Sequence, residues 1–233
     1  MAMRLMLLPG LICDSRIFAA QRECLGDVVV VNGFGTLESI EAMARHALAQ
    51  APARIALLGH SMGARVALEM YRQAPARIAR LALVSTGVHG VKPGEAEKRQ
   101  ALIDLGRAQG AGALVDHWLP PMVAPRRIGD ADLIEPLRAM CIEAGVDAFA
   151  AQVHALLGRP DAKSLLPNVT CPTLVMVGSV DSWSPPAQHA AIAAMIPDAR
   201  LNVIDGAGHM LPAEAPHAFN AAIADWLSMP TRH

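Results

Sequence analysis

The chain has 233 residues, of which 53% are apolar and 18% charged, and its formal net charge is -1. That much apolar material suffices for one compact domain with a full core, perhaps carrying an inserted subdomain, and rules out a disordered chain. A near-zero charge with no long block of either sign excludes the basic footprint of a nucleic-acid or anionic-membrane binder, so a small, roughly neutral substrate is expected.

The first residues, Met1 to Leu8, resemble a short signal sequence, and Leu11-Ile12-Cys13 resembles a lipoprotein cleavage site. Pro9-Gly10 interrupts the apolar run, and cleavage there would remove a segment that the rest of the pattern needs as a strand. Arg4 to Leu8 is therefore read as the first strand. Further strands are expected at Val28 to Val31, Ile55 to Leu58, Leu81 to Val84, Thr173 to Val177 and Leu201 to Ile204. Helical patterns lie between them, near Ile17 to Leu25, Leu37 to Gln50, Met62 to Gln73, Pro186 to Met195 and Pro212 to Leu227. This alternation predicts an α/β fold with a mostly parallel sheet of about six strands, covered by helices. Right-handed crossovers then gather every strand C-terminus on one edge.

One interval departs from the alternation. From Gly87 to Pro167 the pattern is helical throughout, broken at Gly106, Gly110, Pro120-Pro121, Pro125, Gly145 and Gly158-Arg159-Pro160. It predicts a helical cap inserted after the fourth strand, so that residues 1–86 and 168–233 form the core domain and residues 87–167 the cap. No later stretch reads as long and apolar enough to span a bilayer. Cys13, Cys24, Cys141 and Cys171 are scattered without a C-x-x-C pair, which suggests buried free thiols in a reducing, cytoplasmic compartment rather than a zinc or redox site.

The sharpest local signal is Gly59-His60-Ser61-Met62-Gly63, between the third strand and the helix that follows it. A serine on so tight a turn is pushed outward, and glycines two residues to either side let the neighbouring backbones pass without a clash. A structural serine at a tight turn is the alternative. A hydroxyl at neutral pH is a weak nucleophile, so Ser61 needs a base within hydrogen-bond reach and the base needs an orienting carboxylate. Gly178-Ser179-Val180-Asp181 and Gly206-Ala207-Gly208-His209 each follow a later strand and end on the same edge, in the chain order Ser, Asp, His. Asp181 alone would pass for a turn or N-cap residue ahead of Pro185-Pro186, and His209 alone for a loop histidine. Each gains from the presence of the other two.

Other candidates have plainer explanations. His60 adjoins the turn but projects differently, which favours packing. His117, His154, His189 and His217 lack metal-ligand spacing, Asp130-Ala131-Asp132 lacks the rest of a calcium loop, and Gly33-Phe34-Gly35 lacks the third glycine of a dinucleotide fingerprint. In the cap, His117, Trp118, Leu119, Met122, Met140, Phe149 and Leu156 have spacing that suits either core or pocket, with Trp118, Met122, Met140 and Phe149 the candidates for a pocket wall. Arg126-Arg127 is either a trap for a substrate carboxylate or a solvated pair.

Taken with Leu8-Pro9-Gly10-Leu11, Pro185 and Glu214-Ala215-Pro216, these motifs resemble the α/β-hydrolase superfamily, in its small capped group of esterases, enol-lactonases and proline iminopeptidases. The resemblance implies Ser61 as nucleophile, His209 as base, Asp181 as orienting acid, and the backbone N–H groups of Leu11 and Met62 as an oxyanion hole. It implies a carboxylesterase acting on small, largely apolar esters or thioesters with water as the second substrate and no metal or organic cofactor. Lactonase, amidase, iminopeptidase or carbon–carbon bond hydrolase activity on the same three residues remains open, as does a non-catalytic receptor for a small molecule. Pro9-Gly10 stands where many relatives have His-Gly, and Asn32-Gly33-Phe34-Gly35-Thr36 replaces a common Asp-x-x-Gly-x-Gly-x-Ser loop. The first two strands of the family lack a counterpart, which leaves six.

Overall fold

The computed structural model describes residues 3–230. Met1 and Ala2, the front of the segment weighed as a signal sequence, lie outside the described residues. Six strands make one sheet: β1 (Arg4–Leu8), β2 (Val28–Val30), β3 (Ile55–His60), β4 (Ile78–Val84), β5 (Thr173–Gly178) and β6 (Arg200–Ile204). Their order is β2-β1-β3-β4-β5-β6 and every pairing is parallel. Apolar runs without alternation suit strands covered on both faces. In β3, β4 and β5 every residue is buried, whereas β6 lies at the edge and leaves Leu201 and Val203 about 40% exposed.

The register aligns the strand ends on one edge. Leu8 pairs with Gly59, His60 with Val84, Val84 with Met176 and Gly178 with Ile204, so these strands finish level with one another. The loops carrying Ser61, Asp181 and His209 therefore leave from the same rim.

The helices are α1 (Ala19–Cys24), α2 (Ile40–Gln50), α3 (Met62–Gln73), α4 (Glu95–Trp118), α5 (Ala131–Leu157), α6 (Pro186–Met195), α7 (Leu211–Glu214) and α8 (Pro216–Ser228). α3 packs over β1, β3 and β4, and α6 over β5 and β6. Expectation and structure differ where local chemistry intervenes. Asp14 caps a 3-10 turn, Ser15–Phe18, ahead of α1. Ser39 accepts the Ala42 N–H and starts α2 three residues later than its periodicity suggests. The single helix expected over Pro212 to Leu227 is two, because Pro216 lacks an N–H and holds Ala215 out of the helical region.

Between β4 and β5 residues 85–94 are irregular, although helix was expected from Gly87 on; from Glu95 the segment is mostly helical, and α4 and α5 pack along each other. Both are interrupted: Gly110 (φ 87°, ψ 170°) and Gly145 (φ 81°, ψ 169°) take conformations open to glycine at little cost. Gly106, expected to be a break, continues its helix. A Cβ there would lie 3.1 Å from both Val146 methyls, so its smallness serves packing. One membrane expectation needs correction, since α5 is long and apolar enough to cross a bilayer by length and composition. Half of that apolar window is buried within the protein, where Leu137, Met140, Cys141, Phe149 and Val153 pack into the core. All four cysteines are free.

Candidate active site

Ser61 alone makes the reversal from β3 into α3, at φ 55° and ψ -116°. Such a conformation is strained for a residue with a Cβ, and the surroundings hold it. The Ser61 N–H donates to Val84 O at 2.8 Å, and the Thr86 hydroxyl donates to Ser61 O at 3.0 Å. A Cβ on Gly59 would come within 2.3 Å of Gly63 O, and one on Gly63 within 2.3 Å of Leu8 O. Only glycine fits either place. A serine at a helix N-terminus ordinarily caps the first turn, but this side chain makes no capping bond.

Its Oγ lies instead 2.9 Å from His209 Nε2, and His209 Nδ1 lies 2.9 Å from Asp181 Oδ2. Asp181 is buried; that burial, which favours the acid form, is outweighed by the His209 charge and hydrogen bond and by the Ser184 N–H, leaving its carboxyl below the ordinary range. An ionised carboxylate only accepts, so Nδ1 carries the hydrogen and Nε2 is free to accept from the serine hydroxyl. The other oxygen, Oδ1, accepts the Trp183 and Ser184 N–H groups at 3.0 and 2.7 Å, which fixes the carboxylate plane.

The His209 loop is held from three sides. His60 Nε2 donates to His209 O at 2.8 Å, and its ring is buried. Burial first, then the neighbouring His209, lower the His60 pKa to about 3, so the ring stays neutral. Glu214 Oε2 accepts the Gly208 and Ala124 N–H groups at 3.0 and 2.8 Å. The His209 N–H donates to Met122 O at 2.8 Å, tying the loop to the helical insertion.

Leu11 and Met62 both border the cavity over Ser61, and among the described residues neither backbone N–H has a partner. Met62 is the first residue of α3, where N–H groups have no intrahelical acceptor. Beside Leu11, Ile12 sits at φ 47°, rare for a β-branched residue. Its N–H donates to Gln152 Oε1 at 2.7 Å, and Gln152 Nε2 donates to Gly35 O at 2.9 Å. Sequence reasoning passed over Gln152, a polar residue 2% exposed on an otherwise apolar face of α5. That mismatch was the available signal.

The cavity holds about 420 Å³, within the range of small-molecule sites. Trp118, Met122, Phe149 and Leu156 border it, with the Trp118 and Phe149 rings edge-to-face at 6.3 Å. Met140, expected with them, lies outside that wall: it is buried, and its sulfur accepts the Asp14 N–H at 3.5 Å. Arg127 is held by Asp130 and by Glu214 O. His189 fixes the loop after β4 by accepting the Thr86 N–H at 2.9 Å and donating to Pro185 O at 3.2 Å. Among the described residues no group of three His, Cys, Asp or Glu side chains is placed to hold a metal ion.

The model of the alpha/beta hydrolase family matches residues 8–222. A thermophilic esterase structure from Thermogutta terrifontis with malate bound is 32% identical, with a TM-score of 0.87 over 97% of this chain and 89% of that one. N-formylmaleamate deformylase from Pseudomonas putida is 30% identical over 75% of this chain and 63% of its own length. The mouse sn-1-specific diacylglycerol lipase ABHD11 is 24% identical over 74% of this chain and 58% of its length. The chain thus spans about 60% of these two relatives.

Proposed function

This chain belongs to the alpha/beta hydrolase family, and we propose that within it the protein is a serine hydrolase that cleaves small carboxylic esters through an acyl-enzyme. One observation carries the reading: an alcohol, an imidazole and a carboxylate stand in a line of two 2.9 Å hydrogen bonds, with the alcohol bordering a cavity. Likeness to the Thermogutta terrifontis esterase supports it.

Ser61 Oγ attacks the carbonyl carbon as its proton passes to His209 Nε2. The carbonyl oxygen gains the negative charge and accepts the Leu11 and Met62 N–H groups, helped by the positive end of α3. His209 then gives the proton to the leaving alkoxide, and the C–O bond breaks. A water molecule loses a proton to the same nitrogen as it attacks the acyl carbon; the C–Oγ bond then breaks, the acid leaves, and His209 returns the proton to Ser61 Oγ. Asp181 keeps the imidazole in the tautomer these steps need. The helical segment of residues 87–167 acts as the cap, covering the carbonyl and supplying Trp118, Met122 and Phe149 to the acyl pocket. The four free thiols suit a reducing, cytoplasmic setting.

Ser61→Ala should lose p-nitrophenyl butyrate cleavage by about 10⁴-fold or more while the melting temperature stays within a few degrees. Cleavage at the wild-type rate would end the proposal.

A further inference from the structure

The same cavity has a second, cationic end. Arg65, Lys92, Lys98, Arg99 and Arg159 border it, with Glu95 as the one carboxylate among them. A near-neutral chain therefore concentrates positive charge beside its proposed nucleophile.

These cations are not equivalent. Arg159 grips Glu95 with two N–H groups at 2.7 and 2.6 Å, and Arg99 Nε reaches the same carboxylate at 2.9 Å. Burial, which opposes ionisation of Glu95, is outweighed by the Arg159 hydrogen bonds and neighbouring charges, and its pKa falls to about 2. That carboxylate is fully engaged. Arg65 is half-buried and donates to His89 O at 3.1 Å, yet among the described residues no carboxylate lies within ion-pair distance of it. Burial first, then the charges of Arg159 and Arg99, outweigh the opposing pull of Glu95 and Asp161 and lower the Arg65 pKa to about 9. A cation disfavoured in this way gains from an incoming anion. Arg65 also sits four residues beyond Ser61 on α3, about one turn or 6 Å along the helix at 1.5 Å per residue.

We infer that Arg65 is the centre of a carboxylate subsite, so that the substrate is a small ester carrying a carboxylate a few bonds from the scissile carbonyl. One guanidinium fork matches the two oxygens of one carboxylate. Lys92 and Lys98 are exposed at the rim, where they attract the anion without fixing it. This inference rests on the hydrolase reading for the word ester, while the subsite itself stands on the cavity. It replaces the neutral substrate expected from overall charge.

The test has two arms, each on wild type, Arg65→Gln, Arg65→Lys and Arg138→Gln. Arg138 pairs with Asp116 at the surface, and its variant serves as a charge control. In the first arm glutarate is titrated against the fluorescence of Trp118 and Trp183, which border the cavity. Saturable binding should weaken at least tenfold in Arg65→Gln, weaken less in Arg65→Lys and persist in Arg138→Gln, with neutral glutaramide failing to bind. In the second, kcat/KM for monomethyl glutarate should exceed that for methyl pentanoate at least tenfold, and the ratio should collapse in Arg65→Gln. Equal glutarate affinity in wild type and Arg65→Gln, or no binding to either, overturns the subsite. Ester cleavage without preference for the half-ester overturns it too, leaving the hydrolase intact. Arg65-dependent glutarate binding without cleavage of either ester upholds the subsite and brings down the hydrolase reading.

Discussion

The rim of the sheet and the helical insertion between β4 and β5 contribute to one cavity by different physical means. At the rim, Ser61, Asp181 and His209 leave parallel strands whose register aligns their ends, so hydrogen bonds far from the site fix its geometry. The insertion has no such ladder. It is two glycine-interrupted helices that touch the rim at a few polar points, among them Gln152 on the Ile12 N–H and Met122 O on the His209 N–H. On the proposed mechanism the rim supplies position and the insertion enclosure. Damage to the first should abolish turnover, and damage to the second should weaken or redirect it.

Asp181→Asn is the severest way to break that contrast. An amide can donate to Nδ1 and turn the imidazole to the wrong tautomer, so kcat should fall about 10⁴-fold with little change in fold; steady-state kinetics with a melting curve checks this. A loss under tenfold would mean that the rim does not act through this line.

Gln152→Leu sharpens the contrast, because this residue belongs to the insertion but braces a rim loop. Removing it leaves the Ile12 N–H and Gly35 O without their partner, at about 1–3 kcal/mol for each buried group. It also loosens the loop that carries the Leu11 N–H. We expect kcat to fall about ten- to a hundredfold with KM nearly unchanged. An unchanged kcat would confine the insertion to covering the site.

The smallest effect is on stability. His60 is neutral when folded, with a pKa of about 3, whereas an imidazole in an unfolded chain has a pKa of about 6.5. Between those values the unfolded chain binds a proton that the folded chain refuses, so stability falls as the pH drops through that window. His60→Gln keeps an N–H for His209 O and should shrink the loss of melting temperature between pH 7 and pH 5. An identical loss in both proteins would place the acid sensitivity elsewhere.

How much could be read without coordinates follows the same division. The strand ends and the glycines at positions 59 and 63 were legible, since a buried parallel strand and a tight turn leave strong local signatures. The orders of Ser61, Asp181 and His209 along the chain and along the rim are linked by crossover handedness, which is why their meeting was foreseeable. In the insertion, Met140 was indistinguishable from Trp118, Met122 and Phe149, because helical spacing does not say which apolar stripe faces a cavity and which faces a neighbouring helix. Arg126-Arg127 drew attention as an adjacent pair, although Arg65, Arg99 and Arg159 are the arginines that converge on the cavity, from three distant segments. Sequence proximity is a poor guide to a field assembled by packing. Glu214 carries no local signature beyond its place in a family motif, because its bonds to the Gly208 and Ala124 N–H groups join its own segment to one distant in the chain.

The most direct measurement is to treat the protein with a fluorophosphonate and locate the adduct by peptide mass spectrometry, in wild type and in His209→Ala. Activation of the hydroxyl by the imidazole predicts rapid modification at Ser61 alone in wild type, and slowing by several orders of magnitude in the variant. Modification of Ser61 at the same rate without the imidazole, or of another residue in its place, would contradict it.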